Sequence, residues 1–382
     1  MLQPKNNKEK LKDFTFELFK YFIIGIVTTA SIWCILSSLP YFFVRWGKNL
    51  GFDDKTGFIG DTLGGTLGPI IGIVGAILTF SAFYIQYEAN QLQRLDLAKE
   101  RFENRFYELL RLHKENVSEM KIAARDIVTA KSTINDYSSL PKDEMSENQI
   151  NVEIRGRDVF QDMHKEFLSC YRICKEALHF EESVRDNEKY IIEVSYKIFF
   201  YGLTSPLTKK INQKVIRDEE YVKMCKVHIQ NAAKLTINNL GKSINYMPAD
   251  RSFARPIILS TKYAPFLGQS NQLGYYYRHL FLIVKYVVNQ SDKLFSYNDK
   301  REYLRILRAQ LSNNEQLMLY FNYLAGIGTN WENEQNKFFS IYRMIHNLPL
   351  ELADAVFSPT IEFNAQIKEI RESGEEMFEY HE

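Results

Sequence analysis

Two long uncharged stretches near the start constrain this chain more than any other feature. From Tyr21 to Val44 there is no charged residue, and Lys20 and Arg45 close the stretch. The second runs from Thr62 to Tyr87, between Asp61 and Glu88. A bilayer core of about 30 Å is crossed by about 20 helical residues, so each stretch is long enough to span it. Tyr21, Phe22, Tyr41 and Trp46 stand near the ends of the first, where interfacial aromatics belong. A cleaved signal peptide fits poorly, because the apolar run is too long and lacks a small-residue cleavage site. The pattern predicts a transmembrane hairpin over 21–87, with spans at 21–44 and about 66–87 and a glycine-rich loop at 51–65.

Glycines give the second stretch its character. Gly60, Gly64, Gly68 and Gly72 recur every fourth residue, with Gly65 beside them. Residues four apart share a helix face, and small residues there let another helix backbone come close. The partner on this reading is the first span or a second copy of the chain, which would make a homo-oligomer. The alternative is a pore or gate lining, since nonhelical backbone at membrane depth is tolerated around a water-filled cavity. Pro69 suits the first turn of a helix, and Asp61 suits an interfacial helix cap. Five lysines (Lys5, Lys8, Lys10, Lys12 and Lys20) precede the first span, and Arg94, Lys99, Arg101, Arg105 and Arg111 follow the second. The positive-inside rule then places both ends of the hairpin in the cytoplasm, with residues 1–20 as a basic tail.

Beyond Tyr87 the chain holds 40 basic and 41 acidic residues, a net charge of −1 that offers no electrostatic basis for strong nucleic-acid binding. Leu92, Leu95, Phe102, Phe106, Leu109, His113, Val117 and Met120 recur at three- and four-residue spacing, which predicts a stalk helix over 88–125 packed on its own domain. Helical periodicity returns over 157–177, 187–202, 217–240, 273–290, 299–310, 313–325 and 335–347. Residues 130–155 read as a loop, and 247–270 as an irregular connection. No convincing strand appears, so the fold class is all-α, with a helical cytoplasmic domain over 126–382. The four cysteines lack zinc-finger spacing and are too few for a disulfide framework. No phosphate-cradling glycine loop, nucleophile elbow or metalloprotease motif occurs, so neither a cofactor nor a metal is expected.

Three clusters are candidates for function. Ser312-Asn313-Asn314-Glu315 is a capping box ahead of an apolar helical run, and helix capping accounts for its residue types. Tyr277, Arg278 and His279 form an aromatic and basic group that reads as a core helix, with Arg278 paired to a carboxylate. A phosphate or base reader is the alternative. Arg157 and His164 have the spacing of HEPN-type ribonucleases, in which histidine moves the proton of an attacking ribose hydroxyl. Such spacing arises readily by chance in a chain with this many arginines.

Several stretches in order resemble one family. They are Gly57-Phe-Ile-Gly60-Asp61-Thr-Leu-Gly64-Gly65 with Pro69, Arg101-Phe102-Glu103-Asn104, Gly156-Arg157 with Phe160, Tyr277-Arg278-His279-Leu280, and Arg308-Ala309-Gln310-Leu311-Ser312-Asn313-Asn314-Glu315 with Tyr320-Phe321-Asn322. Together they resemble the putative phage abortive infection proteins (AbiC-like), over about residues 57–345. The resemblance implies a bacterial antiviral effector at the inner membrane, with a phage protein or a neighbouring defence protein as partner. It does not imply an enzymatic activity. A membrane-tethered ribonuclease and a non-enzymatic scaffold for another defence component remain the alternatives. Asn322 joins Tyr277, Arg278, His279 and Ser312–Glu315 as a candidate interaction residue.

Overall fold

A computed structural model describes residues 25–35, 37–38, 41, 45, 54–129, 147–177, 188–205 and 216–379. The chain divides into two compact units, Met1–Gln93 and Arg94–Glu382.

In the first unit, α1 covers Gly25–Ile35. The rest of the predicted first span, apart from a few helical positions, and the basic tail lie outside the described residues. The next helix, α2, runs over Asp54–Glu119 and enters the second unit. Among the described residues its apolar part is the one helix long and apolar enough to cross a membrane. Of the predicted two-span hairpin, the described residues hold one such helix, and the first span is described only as the shorter apolar helix α1. The expected loop over 51–65 is also corrected, because helix begins at Asp54 and takes in Gly57, Gly60, Asp61, Gly64 and Gly65. Asp61 is thus inside the helix, not its cap. Pro69 is interior as well, and its missing N–H leaves the Gly65 carbonyl without the usual donor four residues on. Gly60, Gly64, Gly65, Gly68 and Gly72 face open space, with nothing within 4 Å of where a Cβ would stand.

The second unit is mostly helical, as expected. The predicted seam on α2 is buried from Phe102 onward, with Phe106, Leu109, His113 and Val117, while Leu92 and Leu95 are exposed. Phe102 alone meets the rings of Tyr286, Phe295 and Tyr303 at 4.3–5.2 Å. The stalk ends at Glu119, short of the predicted 125. There β1, Lys121–Thr129, begins and pairs antiparallel with β2, Glu147–Arg155. This corrects both the helical stalk end and the loop assigned to 147–155. Ile150, Val152 and Ile154 alternate with polar residues, a strand pattern that pairs with a segment far off in sequence.

Among the described residues six longer helices then build the core: α3 (Arg157–Glu176), α4 (Glu188–Tyr201), α5 (Ile216–Ile237), α6 (Ser270–Val288), α7 (Tyr297–Arg308) and α8 (Asn313–Leu324). Their bounds follow the predicted periodic segments closely. The α3 helix is central and packs on α4, α5 and α8. Between α5 and α6, where an irregular connection was expected, β3 (Ile244–Tyr246) pairs antiparallel with β4 (Ile257–Leu259). The segment after β4 is fastened by the fully buried Glu166 of α3, which accepts from Tyr263 Oη, the Phe266 amide and Gln269 Nε2. Burial pushes the Glu166 carboxyl up to about 7, against the pull of these three donors. The end of α4 and the start of α6 then cross closely. A Cβ on Gly202 would lie 2.4 Å from the Leu267 carbonyl oxygen, and φ there is 88°. Only glycine allows that approach.

The predicted helix over 335–347 is absent. The buried Glu332 carboxylate takes the amides of Phe339 and Ser340, and Arg343 adopts a left-handed φ of 57°. Both are incompatible with a continuous helix. Short helices α9 (Leu350–Asp354), α10 (Pro359–Glu362) and α11 (Asn364–Glu372) close the unit.

Candidate functional site

The capping box at the head of α8 is formed as the sequence suggests. Ser312 Oγ accepts from the Glu315 amide, and Glu315 Oε2 accepts from the Ser312 amide at 2.7 Å. Burial gives Glu315 a second task. Its other oxygen accepts from Tyr276 Oη of α6 at 3.2 Å, and Arg157 of α3 approaches at 3.7 Å. One carboxylate thus ties three helices together. A second capping box, Ser296 with Asp299, starts α7. It escapes a search for glutamate or glutamine at the third position.

Arg157 and His164 stand near this helix head. Arg157 Nη2 donates to the Gln310 carbonyl at 2.6 Å. His164 is buried and lies against the Phe321 ring at 5.9 Å. Burial pushes its imidazole down to about 4, with Asn314 opposing the shift. A neutral ring shielded from solvent is badly placed to meet a ribose hydroxyl.

His279 turns away from its neighbours in sequence. It stacks on the buried His113 of α2, centroids 5.8 Å apart and planes 4° from parallel. Both nitrogens of His113 and Nδ1 of His279 lack partners. Burial, then His279 and Arg157, push His113 down to about 4.

Tyr277, Arg278 and Asn322 do come together. They line a cleft of about 390 Å³ between α6, α8 and the turn that follows α8. Its walls are aromatic, with Phe200 from α4, Phe281 from α6 and Trp331. Tyr277 Oη donates to the Met318 carbonyl at 2.9 Å and meets Tyr196 Oη at 3.0 Å, so the floor is held by two helices. Gly328 lets the turn lie on α8, since a Cβ there would be 2.4 Å from Asn322 Oδ1. Its amide donates to the Asn322 carbonyl at 2.9 Å. Asn322 is 2% exposed; its Nδ2 makes no hydrogen bond of ordinary geometry, and its side chain acts on the nearby Tyr196 hydroxyl. Arg278 is exposed, and no carboxylate pairs with it among the described residues. The predicted partnered core arginine is therefore corrected to an unpaired cation at a cleft. An apolar wall, one exposed cation and one buried amide suit a ligand with an apolar body and an anionic or carbonyl group.

This cleft coincides with a known sequence family. Residues 268–352 match the family model of the putative phage abortive infection proteins. The resemblance seen in the sequence is borne out over these residues, and the match supports a role in phage defence. Every lining residue except Phe200 falls within the matched segment. No curated protein and no solved structure matches the chain.

Sequence reasoning missed Ser270, Asn330 and Trp331 as cleft residues. Nothing in their local pattern marks them, because the turn carrying Asn330 and Trp331 reaches the cleft only through its packing on α8. Among the described residues no group of three or more His, Cys, Asp or Glu could hold a metal. The glycine row, with Asp61 and Pro69, belongs to α2 in the first unit and forms no part of this cleft.

Proposed function

We propose that this protein is a membrane-tethered abortive-infection effector of a bacterial inner membrane. Its helical unit lies in the cytoplasm and receives an infection-dependent partner or ligand at the Arg278–Asn322 cleft. Occupancy is conveyed to the apolar segment of α2, which acts at the membrane, by reassembly of copies along the glycine row. One observation carries the reading: the segment matched to the phage-defence family is the segment that builds the cleft. The exposed apolar surface of α2 supports the membrane half of it. Ile73, Ile77 and Phe80 are 59–73% exposed, an arrangement that water disfavours and lipid tails accept. The reading needs no chemistry from the protein itself, in keeping with the buried setting of His164.

The test is phage plating efficiency on cells making wild-type protein, Arg278→Ala, Asn322→Leu or Arg305→Ala at matched amounts. Arg305 is exposed, pairs with Glu302 and serves as the control. Arg278→Ala loses protection while Arg305→Ala keeps it. Full protection by Arg278→Ala and Asn322→Leu together would discard the cleft as the receiving site. A His164→Gln variant that folds, loses protection and spares cellular RNA otherwise cleaved by the wild type would favour the ribonuclease reading instead.

A further inference from the structure

Buried arginines are ordinarily matched by carboxylates, because an unpaired charge out of water is costly and guanidinium does not shed its proton near neutrality. One cluster in the second unit departs from that balance. Arg301, Arg308 and Arg343 converge beside a cleft of about 470 Å³. Arg308 and Arg343 are 9% and 3% exposed, and the Nε of each has no acceptor. Arg308 Nη1 donates to the Arg343 carbonyl at 2.7 Å. One carboxylate, Glu375, pairs with two of the three. Glu375 Oε2 accepts from Arg301 Nη1 at 2.6 Å and from Arg343 Nη2 at 3.1 Å. Glu379 attracts Arg308 from beyond ion-pair distance, and its carboxylate accepts from Asn347.

Three further features mark the place as a site. Lys337 lines the cleft with no carboxylate partner among the described residues. Arg343 adopts a left-handed backbone, which a non-glycine residue takes at a cost and which aims this one side chain inward. Glu375 is half-exposed at 45%, on the final segment of the chain, whereas Arg343 beneath it is sealed. The carboxylate is therefore the replaceable member of the cluster.

We propose that this cleft binds a phosphate-bearing ligand, whose oxyanion replaces the Glu375 carboxylate between Arg301 and Arg343. A single oxygen of Glu375 is now shared by two guanidiniums. A tetrahedral phosphate offers three acceptor oxygens and up to two charges, which matches the surplus of cations and supplies partners for the orphaned donors. The cleft is larger than a bare phosphate needs, and Tyr297, Gln366 and Glu369 line the remainder, so the ligand carries a polar body. The proposal is independent of the Arg278 cleft, which is lined by other residues.

The test is calorimetric titration of the full chain in detergent with inorganic pyrophosphate. Glu375→Gln keeps the shape and removes the competing charge, so it binds pyrophosphate about tenfold more tightly than wild type. Arg301→Gln abolishes binding in either background, and Arg305→Gln, outside the cluster, leaves it unchanged. Equal affinity of Glu375→Gln and wild type overturns the proposal. So does an equal loss in Arg305→Gln and Arg301→Gln, which would mean diffuse surface charge. If Arg301→Gln does not fold, the half-exposed Glu375→Gln decides the matter alone. Competition by a short-chain phosphatidic acid assigns the phosphate to a lipid headgroup, and its failure to compete assigns it to a soluble phosphate ester.

Discussion

Ile73 and Phe106 belong to the same helix and meet opposite surroundings. In the first unit the apolar side chains of α2 point outward, Ile73 at 61% exposure, and the glycines beside them touch nothing. In the second unit Phe106 is fully buried, and Phe102 is packed among aromatic rings. The periodicity differs accordingly. Apolar residues surround the helix in the first unit, whereas in the second they keep to one face and charged residues such as Glu108 and Arg111 hold the other. A helix apolar on all sides is covered by lipid or by other protein, and one with a single apolar stripe packs on a protein core. One element therefore carries two kinds of instruction.

Truncation sharpens this contrast most. Phe106→Ala lowers the unfolding free energy of the second unit by about 3–5 kcal/mol, whereas Ile73→Ala shifts it by less than about 0.5 kcal/mol. Thermal melts of detergent-solubilised protein measure both. A comparable loss from both substitutions would mean that Ile73 also packs in a protein core.

Acid tests the buried stripe next. His113 is held neutral down to about pH 4, against an unfolded value near 6.5, so the unfolded chain binds the extra proton first. Its contribution to stability is complete above about pH 6.5 and is lost as pH falls towards 4, on the order of 3 kcal/mol in all. Glu166, with its raised carboxyl, titrates with the opposite sign, so the informative quantity is a difference between proteins. His113→Phe flattens the fall in melting temperature between pH 6.5 and 4 relative to wild type. Parallel curves for the two proteins would show that His113 does not titrate on unfolding.

Charge tests the exposed stretch. Ile77→Arg places a guanidinium mid-span at a cost of about 2.5–3.5 kcal/mol for insertion. The variant shifts from the membrane pellet to the alkaline-extractable fraction, and Glu108→Arg, on the polar face of the second unit, does not. The smallest effect is local to α8. Ser312→Ala removes one cap bond and costs about 1 kcal/mol, read as a lower melting temperature with unchanged membrane recovery.

The sequence announced the helices that have a single face to bury. α3, α6 and α7 carry regular stripes; α8, buried on consecutive residues from Glu315 to Asn322, is marked instead by its start at Ser312 and Glu315. What escaped was set by partners distant along the chain. β2 alternates visibly at Ile150, Val152 and Ile154, but its partner β1 reads as the tail of a helix until the two are paired. Residues 335–347 have helical spacing, yet Glu332 captures two of the amides such a helix would need. The same holds for the cleft. Tyr277, Arg278 and Asn322 could be singled out by type, while Trp331 and Asn330 reach it by way of Gly328. His279, adjacent to Arg278, belongs to a different environment, because it points to the α2 side and stacks on His113.

The proposed link between cleft and membrane is tested most directly by membrane potential, followed with a voltage-sensitive dye after phage challenge. Cells making wild-type protein should depolarise early, and cells making Arg278→Ala, or Gly64→Leu with Gly68→Leu, should hold their potential and lose protection. A steady potential in wild-type cells that still resist phage would contradict action at the membrane.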